Sequence, residues 1–276
     1  MSDIVLSAGA RSSVLALQGI SQQMSQFQLR LSTGKKVNSA LDNPQSYFTS
    51  AALDQQASDL SGLLDSITNV QGAISAANNG ISSIESLVTD AKTLANSALA
   101  SSDPATKAAY ASQYNDLVTQ INNLAVDSGF NGANLLTSGS ITANFNANGT
   151  SNYTVSGVDA SASGLGISTV TDFSNPTEVN NALSQTGAAL DSLRGMSSTF
   201  STADTVLAVR QDFTKSMVSF LNGASSGLTA SDSNADGAAL LALQTRQQIA
   251  QTALTFTSNA DSNVLRLFGL SRQTFG

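Results

Sequence analysis

The chain contains no histidine, no cysteine and no tryptophan, and only three prolines. Without cysteine there is no disulfide framework, no thiol nucleophile and no zinc-thiolate site. Without histidine there is no Ser-His-Asp relay and no HExxH zinc helix, and most metal ligation goes with them. Charge is scarce as well: Asp, Glu, Lys and Arg make up 11% of the residues, under half of the roughly 25% usual in soluble domains. Basic residues are the scarcer sign, 12 against 19 acidic for a net charge of −7, and the densest pair, Lys35-Lys36, reads as a solvated turn. Nucleic acid is therefore not an expected partner, because phosphate neutralisation needs clustered Lys and Arg. No run of 18 apolar residues occurs, so no segment is expected to cross a bilayer as a helix. Met1-Ser2-Asp3-Ile4-Val5-Leu6 lacks a basic stretch followed by an apolar block, which implies a cytoplasmic chain or one exported by a route that reads no such signal. No acidic pair stands apart as a general acid and base, so neither an enzyme nor a cofactor is expected.

What is present is helical period. The chain is 276 residues long and 41% hydrophobic, enough to bury a core, and Ser, Thr, Asn, Gln and Ala occupy positions where charges usually sit. A helical protein with so few charges on its outer faces is expected to cover them with copies of itself. Ala10, Val14, Leu17, Ile20, Met24, Phe27 and Leu31 step by three or four, giving an N-terminal helix that begins near Asp3 or Ser7 and ends at Thr33-Gly34, with Gly34 suited to a left-handed cap. At the other end, Ala239, Ala242, Ile249, Ala253, Phe256, Ala260, Val264 and Leu267 fall on one face of a second helix. The two stripes are expected to pack on each other.

Between them, Lys35 to Pro44 is a turn-rich connector. The longest seam follows, from Leu53 through Leu60, Ile67, Ile74, Ile81, Val88 and Leu94 to Ala98, always at steps of three or four through the intervening apolar positions. Gly62, Gly72 and Gly80 inside it either permit close helix contacts or mark a kink near Asn78-Asn79-Gly80. Asp103-Pro104 reads as N-cap and first helical position, opening a helix with Tyr110, Tyr114, Leu117, Ile121 and Leu124 inward. From about 131 to 175 the helical period disappears. Alternation around Ile141–Ala147 and Tyr153–Val155, joined at Asn148-Gly149, predicts a β-hairpin with a type I′ turn on a Gly- and Ser-rich surface excursion. Asn175-Pro176 restarts a long helix, carrying Val179, Leu183, Leu190, Leu193, Phe200, Leu207, Phe213, Met217 and Phe220 on one side, which breaks over Gly223 to Gly237. The expected fold is mainly α: a long antiparallel helical hairpin or coiled-coil bundle with a small central β-hairpin region.

The stretch Leu31-Ser32-Thr33-Gly34-Lys35-Lys36-Val37-Asn38-Ser39-Ala40-Leu41-Asp42-Asn43-Pro44 resembles the N-terminal signature of bacterial flagellins. Phe130-Asn131-Gly132-Ala133-Asn134-Leu135-Leu136 is similar to the turn before that family's β region. Gln244 to Ala250 and Asn263 to Phe268 are similar to its C-terminal helix. The resemblance implies a structural subunit that polymerises into the extracellular flagellar filament, secreted through the flagellar channel without a cleaved signal. It implies residues 1–44 and 232–276 as terminal helices of an inner tube, and 45–231 as a helical shell with a β tip at about 131–175. It also implies as partners other flagellin subunits, cap and junction proteins, and an export chaperone. The self-assembly seam would comprise Val14, Leu17, Ile20, Met24, Phe27 and Leu31 with Ile249, Ala253, Phe256, Val264 and Leu267. The middle is too short for large outer domains. At the segment Thr89–Asn96, which aligns with the family's innate-receptor site, Asp90 and Thr93 do not match the Arg and Glu of responsive members, so weak receptor activation is expected. The alternatives are a hook-filament junction protein and a secreted coiled-coil adhesin or effector, which would form a monomer or a closed oligomer.

Two smaller patterns have plain explanations. Asp232-Ser233-Asn234-Ala235-Asp236-Gly237 fits half of an EF-hand loop, but Leu243 stands where the bidentate Glu belongs, and a capping turn is the expected role. Asn148-Gly149-Thr150 and Asn152-Tyr153-Thr154 are formal sequons in an Asn-rich segment. O-linked modification of exposed Ser and Thr is the better expectation for a bacterial filament protein.

Overall fold

Apolar residues at alternating steps of three and four are what build this protein. In the structure, a computed structural model that describes residues 8–267 apart from the side chains of Leu265 and Leu267, the described residues form five α-helices and one antiparallel strand pair. These are α1 (Ala8–Thr33), α2 (Pro44–Ala100), α3 (Pro104–Asp127), β1 (Ser140–Asn144), β2 (Asn152–Ser156), α4 (Pro176–Thr229) and α5 (Ser233–Leu267). The suggested helix starts at Asp3 and Ser7 lie outside the described residues. The chain divides into two units, residues 1–54 with 222–276, and residues 55–221.

In the unit of residues 55–221, Ile67, Val70, Ile74, Ala77, Ile81, Ile84, Val88, Ala91, Ala95 and Ala98 of α2 are all buried. Their spacing keeps one face turned to its partners along the helix. α3 contributes Ala111, Tyr114, Val118, Ile121 and Ala125, and α4 contributes Val179, Ala182, Ala189, Leu193, Phe200, Ala203 and Leu207. α2 and α4 run antiparallel: Ser197 Oγ donates to Asn78 Oδ1 at 3.4 Å, and Gln211 Nε2 donates to Gln71 Oε1 at 3.3 Å. The start of α3 is set as the sequence predicts. The Asp103 carboxylate accepts from the Thr106 hydroxyl and backbone N–H and from the Ala105 N–H, and these bonds hold its pKa below the usual carboxylate value.

The segment after α3 is not a surface excursion. Leu135, Leu136, Ala143, Val155, Ala160, Ala162, Leu165, Ile167 and Phe173 all enter the core, and Asn144 N–H donates to Ser66 Oγ at 3.4 Å, bringing the hairpin against α2. The strand alternation was legible, and its apolar face, Ile141, Ala143, Phe145, Tyr153 and Val155, is the one that lies in or against the core; the burial of the rest of the segment was not. The hairpin pairs Ser140 with Ser156 through Asn144 with Asn152, so the connection is longer than a two-residue turn. Gly149 has φ 69° but Asn148 is not in the left-handed region, which corrects the type I′ expectation. Positive φ at consecutive residues occurs instead at Asn131 (47°) and Gly132 (81°), closed by reciprocal Phe130 and Ala133 backbone bonds.

The glycines of α2 separate by environment. A Cβ on Gly80 would meet Leu136 Cδ1 at 2.7 Å as well as Ser128, and one on Gly72 would meet the Phe130 ring at 2.6 Å, whereas Gly62 faces open space. Two of the three therefore admit the 128–136 segment to the helix. Gly62→Ala is expected to stabilise the fold by about 0.5–1 kcal/mol through helix propensity. Gly80→Ala is expected to destabilise it by about 1–3 kcal/mol through overpacking. Denaturant melts of the two variants check both signs.

Tyr114 packs edge-on against Phe173, centroids 5.5 Å apart, with its hydroxyl buried and lacking a hydrogen-bond partner. Burial pushes its pKa up to about 12. Because the folded pKa lies above the unfolded one, this phenol's stability contribution is whole below about pH 10 and is lost as pH rises towards 12. Tyr114→Phe is expected to be neutral or up to about 1 kcal/mol stabilising at pH 7. It should also flatten the alkaline fall, as read by melts between pH 9 and 12.

Candidate self-assembly surface

The unit of residues 1–54 and 222–276 is tied together at its two connectors. α1 ends as predicted at Gly34, whose φ of 68° is left-handed and whose N–H donates to Arg30 O at 2.8 Å. The chain then bridges to the end of α4: Lys36 N–H donates to Thr229 O at 2.7 Å and Ser231 N–H donates to Gly34 O at 2.9 Å. Asp42 folds the first connector by accepting from the Asn38 and Ser39 N–H groups, each at 2.9 Å, and these bonds lower its pKa. Ser225 Oγ, buried on α4, donates to Ser50 O on α2. The break expected over Gly223 to Gly237 is shorter than that, because α4 runs through Gly223 and Gly227 to Thr229.

Asp232 caps α5, accepting from the Asn234 and Ala235 N–H groups at 2.9 and 3.2 Å. Asp236, 7% exposed, accepts from the Ser231 hydroxyl. The half EF-hand pattern is thus occupied by capping, with Asp232 as the cap and Asp236 in the first turn. Among the described residues no three His, Cys, Asp or Glu side chains converge on a point. No described helix is long and apolar enough to cross a membrane.

Since α1 ends and α5 begins at the bridged connectors, the two helices pack antiparallel. At 1.5 Å per residue they are about 39 and 52 Å long. Val14, Leu17, Ile20, Met24, Phe27 and Leu31 form a half-buried line on α1, with Ala10 buried at its start. Their bulky face is therefore turned inward as the spacing predicts.

α5 behaves differently. Its sheltered line runs through Asp236, Leu240, Leu243, Gln247, Ala250, Leu254, Thr257 and Asp261. The residues expected to meet α1 point elsewhere: Ile249 is 64% exposed, Phe256 71% and Val264 52%, and Ala253 is exposed too. The Leu267 side chain lies outside the described part. At 100° per residue the bare stripe lies about 120° around the helix from the sheltered one. The expectation that it packs on α1 within the chain is corrected, and the cause is visible in the residues. Where α5 is sheltered it accepts Asp236, Gln247, Thr257 and Asp261 beside Leu240, Leu243 and Leu254, while Ile249, Phe256 and Val264 face out, so the stripe picked out by spacing marks the free side. Leu241, 65% exposed, joins this free side, and Leu15 and Leu29 are bare on the outer face of α1. The 14-residue spacing of Leu15 and Leu29, four helical turns, was the signal for them.

α1 and α5 together bury little: Ala10, Leu243 and Asp236 are the buried residues of their described side chains. Such long rods with apolar residues facing water on their free sides are chemically suited to bind more helix.

Known proteins resemble this chain in sequence. Residues 8–141 match the family described as the bacterial flagellin N-terminal helical region. A crystal structure of Bacillus cereus flagellin aligns at TM-score 0.46 and 17% identity over 53% of this chain and 86% of that one. Flagellin FljK of Caulobacter vibrioides is 26% identical over 273 residues, covering 97% of this chain and 99% of that protein. A flagellin of Brucella melitensis is 25% identical over 281 residues, with 97% and 99% covered. From the N-terminal helices through the β region to the C-terminal helix, the chain is similar to bacterial flagellins over nearly its whole length.

Proposed function

We infer that the chain is a structural subunit that polymerises with its own copies into the flagellar filament. The observation that carries this is the stripe of Leu241, Ile249, Phe256 and Val264, apolar and bare on a helix whose other side is already packed. A surface of that kind, repeated on every copy and bound by a different surface of the next, does not close on itself and produces a helical fibre. The contact is non-enzymatic and needs no cofactor, since apolar burial supplies its free energy.

The finer assignment follows from the same surface. Residues 1–44 and 232–276 serve as the inner tube, where neighbouring copies complete the burial that α1 and α5 leave unfinished, and 45–231 serve as the surrounding shell. The seam of Val14, Leu17, Ile20, Met24, Phe27 and Leu31 joins the pair within a copy. Ile249, Ala253, Phe256 and Val264 face the neighbours. Secretion to the cell exterior, growth under a cap protein, attachment through junction proteins and escort by an export chaperone accompany this role. Electron microscopy of the concentrated full-length chain tests it: open fibres are expected, and a closed oligomer or persistent monomer would overturn it.

A further inference from the structure

The chain contains four Asn-Gly pairs, beginning at Asn79, Asn131, Asn148 and Asn222. Such a pair is open to attack by the glycine nitrogen on the asparagine side-chain amide, because glycine has no Cβ to shield that nitrogen and turns freely. The fold treats the four differently. Asn79-Gly80 and Asn222-Gly223 lie inside α2 and α4. There a helical ψ of about −42° holds the glycine nitrogen out of line with the side chain, and its N–H is spent on the carbonyl four residues back. Gly80 is also closed in by Ser128 and Leu136. Asn131 sits in a turn closed by Phe130 and Ala133, and its Nδ2, the group that would leave, is held by Asn69 Oδ1 at 2.9 Å.

Asn148 is arranged to react. It is exposed at the hairpin tip, and its Oδ1 accepts from the Thr150 N–H at 3.4 Å and the Thr150 hydroxyl at 2.9 Å. A side chain that bonds the residue two places on lies over the peptide between them, here the one whose nitrogen is the nucleophile. The Thr150 hydroxyl accepts in turn from Asn146 Nδ2 at 2.7 Å, which strengthens it as a donor. Both donors sit where negative charge develops as Cγ turns tetrahedral. The Gly149 N–H donates to Asn146 O at 3.1 Å, a bond at an exposed loop tip, where local opening costs little.

We propose that Asn148 is a self-modification site, positioned by Thr150, that converts to isoaspartate and aspartate with water as the co-reactant. Hydroxide takes the Gly149 N–H proton, and the nitrogen's electron pair forms a bond to Asn148 Cγ. The oxyanion on Oδ1 collapses, the Cγ–Nδ2 bond breaks, and Nδ2 takes a proton from water and leaves as ammonia, returning the hydroxide. Water then opens the five-membered imide. Cleavage between the nitrogen and Cγ gives aspartate; cleavage between the nitrogen and the backbone carbonyl carbon gives isoaspartate, which routes the chain through Cβ. Either product adds a negative charge to a chain that already carries −7.

The test uses the full-length, unassembled chain at mildly alkaline pH, with peptide mapping by mass spectrometry and enzymatic methylation to count isoaspartate. Conversion at Asn148 is expected to run at least about tenfold ahead of Asn79, Asn131 and Asn222, and the four rates should level out in denaturant. Asn148→Gln, which would need a six-membered ring, should remove isoaspartate from the tip peptide. Thr150→Val should slow conversion several-fold and Thr150→Ser should restore it. Conversion at another pair that matches Asn148, a rank order that survives denaturant, or a Thr150→Val chain that converts as fast as the parent overturns the proposal. Because no fibre is involved, its failure leaves the filament reading untouched.

Discussion

Deleting residues 237–276 is expected to abolish filament formation outright while leaving a soluble, helical monomer. The deletion takes the bare stripe of Leu241, Ile249, Phe256 and Val264, and it takes Leu243, the one buried apolar side chain among the described residues of α5. The core of residues 55–221 is untouched, since every residue of its buried cluster lies between Ile67 and Leu207. The loss should nevertheless exceed α5 itself. α1 retains the half-buried line from Val14 to Leu31 only while α5 lies over it, and an isolated helix of 26 residues without its apolar cover is marginal in water. Circular dichroism should therefore lose helix equivalent to α1 and α5 together, with the main unfolding transition preserved. Pelleting assays and electron microscopy should find no fibres at concentrations where the full chain assembles. Filaments of ordinary morphology from the truncated chain would show that the C-terminal helix is dispensable and would end the mechanism proposed for it.

How much of this was legible in the sequence depended on whether a residue's partner lay within the same copy. The α2 seam was legible almost residue for residue, because a 3.5-residue repeat sustained from Ile67 to Ala98 has one meaning, a helix face continuously covered. It erred near the end, where Ala95 is buried and Leu94 only partly so. Asp103-Pro104 and Gly34 were legible because capping is local chemistry. The face of α5 was misjudged because an apolar stripe announces that something covers it without saying what. The largest side chains were assigned to α1, whereas α1 takes a face that includes Gln247 and Asp261. Phe213 and Phe220 were set on one side with Leu193, Phe200 and Leu207 for the same reason. The 131–175 segment was hidden by another route. Its burial depends on small residues admitting backbone, Gly139 against Asn134 and Gly157 against Leu135 and Gly139, and no periodic pattern records that.

The same chemical change at two phenylalanines should give opposite readouts, and this separates the core from the assembly surface. Phe200→Ala removes a fully buried ring from the α4 core face. Deletions of this kind typically cost about 3–5 kcal/mol, combining lost transfer free energy with the cavity left behind. For a unit of this size that corresponds to a melting temperature lower by about 10 °C or more. Fibres should still form below the new transition, since the assembly stripe is intact. Phe256→Ala removes a ring that is 71% exposed in the single chain, and alanine is the better helix former. The monomer's melting temperature should accordingly stay the same or rise slightly. What is lost is the burial of that ring against a neighbouring copy, about 1.5–3 kcal/mol per contact, or roughly tenfold to hundredfold in the critical concentration. Differential scanning calorimetry on dilute monomer and sedimentation across a concentration series read the two effects independently. A Phe256→Ala chain that melts early and assembles normally would mean that the ring packs inside its own copy, and the bare face of α5 would then have no role in holding subunits together.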